Sequence, residues 1–225
     1  MVVKKITYEV GNFEFDNLKD AENFEGYLNN FSEEQLNEIY FGYQAKIDYA
    51  VYANPDFTWK QMEQIRFGIE ENLNVSLYAN LDFNVLQMEQ IRLGLQKNLD
   101  TNLYAKPEFT SRQMEQIRWG LISELNVSIY ANPKFSWRQM KEIRQGLEKN
   151  LNVDIYVNPE FAPEQMYQIK FGLLYGIDVE IYAKPNIKAE DMERIRKELE
   201  KNIDNSNIDW FAEIQRIKLE MDSKK

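Results

Sequence analysis

Apolar and polar positions recur along this chain with a period of 26 residues. The segment QMEQIR stands verbatim at 61–66, 87–92 and 113–118. Aligned on it, successive units begin at Tyr52, Tyr78, Tyr104, Tyr130, Tyr156 and Tyr182. The first reads YANPDFTWKQMEQIRFGIEENLNVSL and the fourth YANPKFSWRQMKEIRQGLEKNLNVDI. A fixed period of about 20 to 50 residues marks a solenoid or array, in which each unit buries its apolar face against the next. Counted from the tyrosine, apolar residues fall at positions 11, 14, 18 and 22, which are Met62, Ile65, Ile69 and Leu73 in the first unit. Spacings of 3, 4 and 4 put them on one helical stripe. Thr58, Thr110 and Ser136 precede the stripe as N-caps. Position 21 carries Asn72, Asn98, Asn150, Gly176 and Asn202, residue types that tolerate the left-handed conformation ending a helix; Glu124 fits less well. The pattern predicts one helix of about 14 residues in each unit.

A second, shorter helix follows. Asn or Asp occupies position 23 in all six units, as in Asn74-Val-Ser-Leu. That residue reads as the cap of a single turn, which Pro107, Pro133 and their equivalents then stop. Phe57, Phe83, Phe109, Phe135 and Phe161 are expected to plug the gap between units. Position 17 is glycine in Gly42, Gly68, Gly94, Gly120, Gly146 and Gly172. A mid-helix glycine costs about 1 kcal/mol relative to alanine. Its recurrence predicts a close approach there, expected to be of neighbouring helices. The sixth unit has Glu198 at this position, as a terminal unit with no following neighbour can.

The ends differ in kind. KKITYEV and FEFD alternate about Gly11-Asn12, a β-hairpin pattern, and Asp16 or Asn17 then caps a helix through LKDAENFEGYL. A degenerate unit keeps the register with Gln35, Leu36, Ile39 and Gly42. At the other end Ile208, Phe211, Ile214, Ile217 and Met221 read as a closing helix. The expected fold is mainly α. It is an α-solenoid of six to seven 26-residue repeats, divided into a ββα cap at 1–30, a degenerate repeat at 31–51, six repeats at 52–207 and a capping helix with tail at 208–225.

Composition narrows the chemistry. The 225 residues contain no cysteine and no histidine. Thiol nucleophiles, disulfides, the usual serine–histidine triad and typical zinc sites are thereby excluded. No glycine-rich phosphate loop, paired-carboxylate motif or metal-ligand cluster stands out. The chain therefore reads as non-enzymatic, with no cofactor and no metal. No apolar run approaches the roughly 20 residues of a membrane span, and MVVKKITYEVGNFEFD does not read as a signal peptide. A cytoplasmic protein without a membrane partner is expected.

The net charge is −10, unevenly placed. Residues 1–51 hold ten acids and four lysines, whereas residues 130–155 hold five bases and three acids. An acidic chain is repelled by phosphates. A basic protein partner suits it better, with Glu33, Glu34 and Glu38 in the acidic segment facing basic grooves; solubility alone is the alternative.

Three sets of positions are candidate sites. Position 15 is a cation column: Arg66, Arg92, Arg118, Arg144, Lys170 and Arg196. It suits a phosphate backbone, as in an RNA or single-strand binder, or else each cation pairs with a carboxylate such as Glu63, Glu89 or Glu115 while its stem covers core. Positions 8, 12, 16 and 19 vary between units and carry Trp59, Phe67, Trp119, Trp137, Tyr167, Phe171 and Leu174, with Tyr175 beside them. Large apolar residues at positions free to be polar mark either a binding surface or packing on an adjacent element, Trp210 and Phe211 included. The tyrosine column at position 1 offers stacking faces or, alternatively, core with each hydroxyl on a backbone carbonyl.

The unit Y-A-x-P-x-F-x-x-x-Q-M-x-x-I-R-x-G-L resembles tandem repeats of uncharacterised proteins from low-GC bacteria, their phages and mobile elements. The resemblance covers about residues 52–200, weakening where the sixth unit loses Phe and Gly. It implies a mobile-element setting. Small acidic proteins from such elements include anti-CRISPR and other anti-defence inhibitors. The resemblance thus implies a protein-binding scaffold that inhibits a host nucleic-acid-targeting defence complex, and carries over no catalytic residue.

Overall fold

A computed structural model describes residues 7–203. The closing helix expected at 208–225 and residues 1–6, which include the start of the hairpin segment, lie outside the described residues. The chain divides into two compact units, Met1–Pro107 and Glu108–Lys225. Both are mainly helical, and neighbouring helices within each pack against one another.

The first unit opens with strands β1 (Tyr8–Val10) and β2 (Phe13–Phe15), antiparallel with Tyr8 opposite Phe15 and Val10 opposite Phe13. Gly11 turns between them at φ +59°, a left-handed value that favours glycine. Helix α1 (Leu18–Glu25) follows, capped by Asn17, whose side chain accepts from the Asp20 N–H. Phe15, Ala21 and Phe24 are buried. The rings of Phe13 and Phe15 lie 4.9 and 4.8 Å from those of Tyr40 and Tyr43 on helix α2 (Glu33–Gln44). The Tyr43 hydroxyl accepts from the Asp16 N–H at 2.7 Å. The small two-stranded sheet thus meets α2 through aromatic contacts.

Helices α3 (Trp59–Glu70) and α4 (Val85–Gln96) complete the first unit. The second contains α5 (Ser111–Ile122), α6 (Trp137–Glu148), α7 (Pro163–Leu174) and α8 (Ala189–Ile203). Five of these are 12 residues long, shorter than the apolar stripe suggests. The stripe's last member lies beyond the helix end. After α3, Asn72 takes φ +56°, its N–H bonds the Ile69 carbonyl, and the Leu73 N–H returns to the Gly68 carbonyl at 2.8 Å. This is a Schellman turn, and Leu73 is the apolar residue that follows it. Glu124 adopts the same left-handed backbone at φ +55°.

The short second helix is a three-residue 3-10 turn, as at Val75–Leu77 and Val153–Ile155. Its cap works as expected where it is aspartate: Asp48, Asp100 and Asp178 each accept a backbone N–H. Asn74, Asn126 and Asn152 make no such bond.

Position 17 departs from expectation in its cause. The nearest atoms belong to the short 3-10 turn and the tyrosine that follow the same helix. A Cβ at Gly68 would collide with the hydroxyl of Tyr78, ten residues on, and would sit 2.7 Å from Val75 Cγ1. The same clash recurs from Gly42 with Tyr52 to Gly172 with Tyr182. Each of these tyrosines is fully buried, and its hydroxyl donates to the position 13 carbonyl of the preceding helix, as Tyr78 does to Gln64 at 3.1 Å. The column is therefore core and offers no stacking face. Burial pushes the hydroxyls of Tyr52, Tyr78, Tyr130, Tyr156 and Tyr182 well above the ordinary phenol range.

Candidate functional site

Two columns that recur along the repeats hold helices and turns together. Gln139 illustrates the first. Its Oε1 accepts from the Ser136 N–H at 2.7 Å, while the Ser136 hydroxyl accepts from the Gln139 N–H, a capping box at the start of α6. Its Nε2 reaches into the next repeat and donates to the carbonyls of Pro159 at 3.0 Å and Phe161 at 2.7 Å. Gln35, Gln113 and Gln165 bridge in the same way. Sequence reading overlooked this column. The signal was present: position 10 is Gln in five successive repeats and becomes Asp191 in the sixth.

The second is the position 15 cations, whose partners differ from those expected. Arg66 and Arg92 take partners other than Glu63 and Glu89 on their own helices. Arg66 Nε donates to Glu38 on the preceding helix at 2.8 Å, and its Nη1 to Glu70 at 2.6 Å. Arg92 bonds Gln64 and Glu71; Arg144 bonds Gln116 and Glu148; Arg196 bonds Gln168 and Glu200. Lys170 Nζ lies 2.6 Å from both Glu142 and Gln145. Arg118 lies on α5, half-buried. Side-chain exposure of Arg66, Arg92, Arg144, Lys170 and Arg196 is 6–13%. Their charged heads lie against adjacent helices and do not form an open cationic row.

The acidic candidates separate. Glu33 and Glu34 are exposed at the first turn of α2, where the helix dipole favours negative charge. Backbone and Ser32 hydrogen bonds hold the Glu34 carboxyl below its usual range. Glu38 is only 5% exposed and belongs to the α2–α3 contact, so it cannot meet a partner as expected. Burial pushes its carboxyl up, and Arg66 offsets part of that rise. Burial would lower the Arg66 guanidinium, but its bonds to Glu38 and Glu70 hold it above its usual range.

The aromatic candidates occupy a third arrangement. At position 16, each described aromatic ring lies under the position 15 guanidinium of the following repeat. Arg92 lies 5.4 Å from Phe67, Arg144 5.2 Å from Trp119 and Arg196 4.8 Å from Phe171. Trp137 lies between Arg112 and Arg138, at 5.1 and 5.4 Å. Phe67, Trp137 and Phe171 are half-buried by these contacts. Trp59 and Trp119 keep more of their surface, at 37% and 38%.

One face gathers several candidates. Along α7 and its C-cap, exposed Tyr167, half-buried Phe171 and exposed Tyr175 form a run of rings at 5.5 and 5.0 Å, with Leu174 beside them. Two clefts lie between α6 and α7. One, of about 330 Å3, is lined by Trp137, Arg138, Lys141, Pro163, Glu164 and Tyr167 among others. The other, of about 280 Å3, is lined by Gln145, Lys149, Lys170, Phe171 and Leu174, again with Tyr167. Tyr167 is thus the ridge between them. Arg138, Lys141 and Lys149 escaped sequence reading as a group, although the basic excess at 130–155 was their signal.

Among the described residues no cluster of acidic side chains is arranged to hold a metal ion, and no helix is long and apolar enough to cross a membrane. Compared with family models, curated proteins and solved structures, the chain gives no match.

Proposed function

We propose that this chain is a non-enzymatic helical-repeat scaffold that binds a protein partner. The observation carrying this reading is a division of labour within the repeat. Positions 1, 10, 11, 13, 14, 15 and 17 are engaged in core, capping and helix-to-helix contacts. The variable positions instead leave Trp59, Trp119, Tyr167 and Leu174 at 37–50% exposure, with Tyr175 beside them at 53%. Large rings on a surface that folding does not need are the residue types that dominate interface energetics. We read the repeats of each unit as stacked in α-solenoid fashion, and place the protein in the cytoplasm.

A more specific form follows from the resemblance: inhibition of a nucleic-acid-targeting defence complex. Glu33 and Glu34 would then face a basic groove. The engagement of the position 15 cations in the fold weighs against a nucleic-acid-binding role for that column. Affinity capture from the source cell with the full chain, with and without nuclease, tests the scaffold reading. The expected result is stoichiometric recovery of a protein that survives nuclease and is lost on combined Trp59→Ala, Trp119→Ala and Tyr167→Ala substitution. Recovery of nothing, or of nucleic acid alone, overturns it.

A further inference from the structure

The α6–α7 face joins two kinds of surface. On α6, Arg138, Lys141, Gln145 and Lys149 follow at spacings of 3, 4 and 4, and so share one stripe. Arg138, Lys141 and Lys149 are exposed, and none has an ion pair among the described residues. On α7 and its C-cap, Tyr167, Phe171 and Tyr175 form the facing aromatic stripe. The acids nearby are largely committed: Glu142 to Lys170 and Glu148 to Arg144. Glu164, at the start of α7, is the one remaining acid that lines the clefts. Three free cations against one free carboxylate make a local positive wall in a chain whose net charge is −10.

Resting on the scaffold reading above, we propose that the α6–α7 face docks a short acidic segment of a partner protein, with carboxylates on the α6 cations and apolar side chains in the clefts on either side of Tyr167. Charge complementarity selects this occupant. Carboxylates meet cations that have no ion-pair partner among the described residues, and apolar groups cover rings already exposed. The dimensions agree. Arg138 to Lys149 spans eleven residues of helix, about 16 Å at about 1.5 Å per residue. An extended segment of about five residues, at about 3.3 Å each, covers that length. Single-stranded nucleic acid would also use cations and rings, but three cations in an acidic chain give little counterion-release affinity.

The test is a selection from displayed random peptides of about 12 residues, long enough to span the face extended or as a helix. The bait is the full chain, counterselected against Arg138→Glu/Lys141→Glu/Lys149→Glu. Circular dichroism checks that this surface variant stays folded. The expected winners carry Asp or Glu interleaved with Leu, Phe or Trp. Their binding weakens by about tenfold or more in the charge-reversed variant and falls with added salt. Tyr167→Ala weakens it without altering the salt dependence. Three outcomes overturn the proposal: no peptide that depends on the three cations, enrichment of basic peptides, or tighter and more steeply salt-dependent binding of an oligothymidylate of about 12 nucleotides. A captured cellular protein lost on Trp59→Ala but indifferent to charge reversal on α6 would sink this inference alone and leave the scaffold reading standing.

Discussion

The Tyr130 hydroxyl lies where a side chain on Gly120 would begin, and from there donates to the Gln116 carbonyl at 3.2 Å. The tyrosine locks the following turn onto α5 only because the helix presents bare backbone at that point. Gly120→Ala should therefore destabilise, although alanine gains about 1 kcal/mol of helix propensity over glycine. We expect a net loss of about 2–3 kcal/mol from overpacking beside a buried ring. Tyr130→Phe should lose about 1 kcal/mol with its hydrogen bond. The double variant should be more stable than the sum of the two losses, because removing the hydroxyl relieves the closest of the contacts and leaves that with Val127 Cγ1 at 2.8 Å. A denaturant double-mutant cycle measures this, and strict additivity would refute the socket.

Gln139 serves as both acceptor and donor, so a carboxylate cannot replace it at neutral pH. Gln139→Glu would aim negative charge at the carbonyls of Pro159 and Phe161. The introduced carboxyl would have its folded pKa raised, since only its protonated form can donate. Its favourable contribution is then full below the unfolded value of about 4.3 and is lost as pH rises through the folded pKa. The variant should approach wild-type stability near about pH 4 and fall short by about 2 kcal/mol or more at pH 7. A constant deficit across that range would count against the bridge.

Glu38 occupies the place where Gln64, Gln116 and Gln168 accept from the next arginine. Its carboxyl is pushed up by burial, with Arg66 pulling it back in part. The contribution of a raised carboxyl is greatest in acid and declines as pH rises through its folded pKa. Glu38→Gln keeps the acceptor and removes the buried charge. It should be neutral or stabilising at pH 7, within about 1 kcal/mol, and should flatten stability between about pH 4 and 7. Loss of several kcal/mol would show the ion pair to be net stabilising.

Glu124 holds the left-handed turn that Asn72, Asn98 and Asn150 hold elsewhere. An ordinary side chain pays about 1 kcal/mol there. Glu124→Gly or Glu124→Asn should raise stability by about 0.5–1 kcal/mol, read as a higher thermal midpoint. No gain in either variant would mean that the glutamate is compensated.

The buried tyrosines set an alkaline limit. Their raised hydroxyls mean that folding is favoured below the unfolded value of about 10 and weakened as pH rises toward the folded one. The column should ionise only with loss of helical circular dichroism. A single smooth titration on folded protein would contradict the burial.

Much of the fold was legible because its determinants are local. The 26-residue period, the Thr58 and Ser136 caps, and the left-handed Asn72 and Gly176 depend on backbone geometry within a few residues. The association of glycine with tyrosine was legible too: Gly172 is followed ten residues on by Tyr182, whereas Glu198 is followed by Ile208.

What the sequence alone determined, then, is the repeat period, its helices and where each begins, because caps and stripes act over one or two turns. Tertiary structure decided the partners. A spacing of 26 says that Arg66 recurs as Arg92, but only the packed helices direct Arg92 to Gln64 and Arg66 to Glu38, 28 residues back. Only packing buries Glu38 while leaving Glu33 in water, and only packing sets the free cations of α6 opposite the rings of α7. Those distinctions arise from which faces neighbouring helices cover, and a contact across helices leaves no mark in local periodicity.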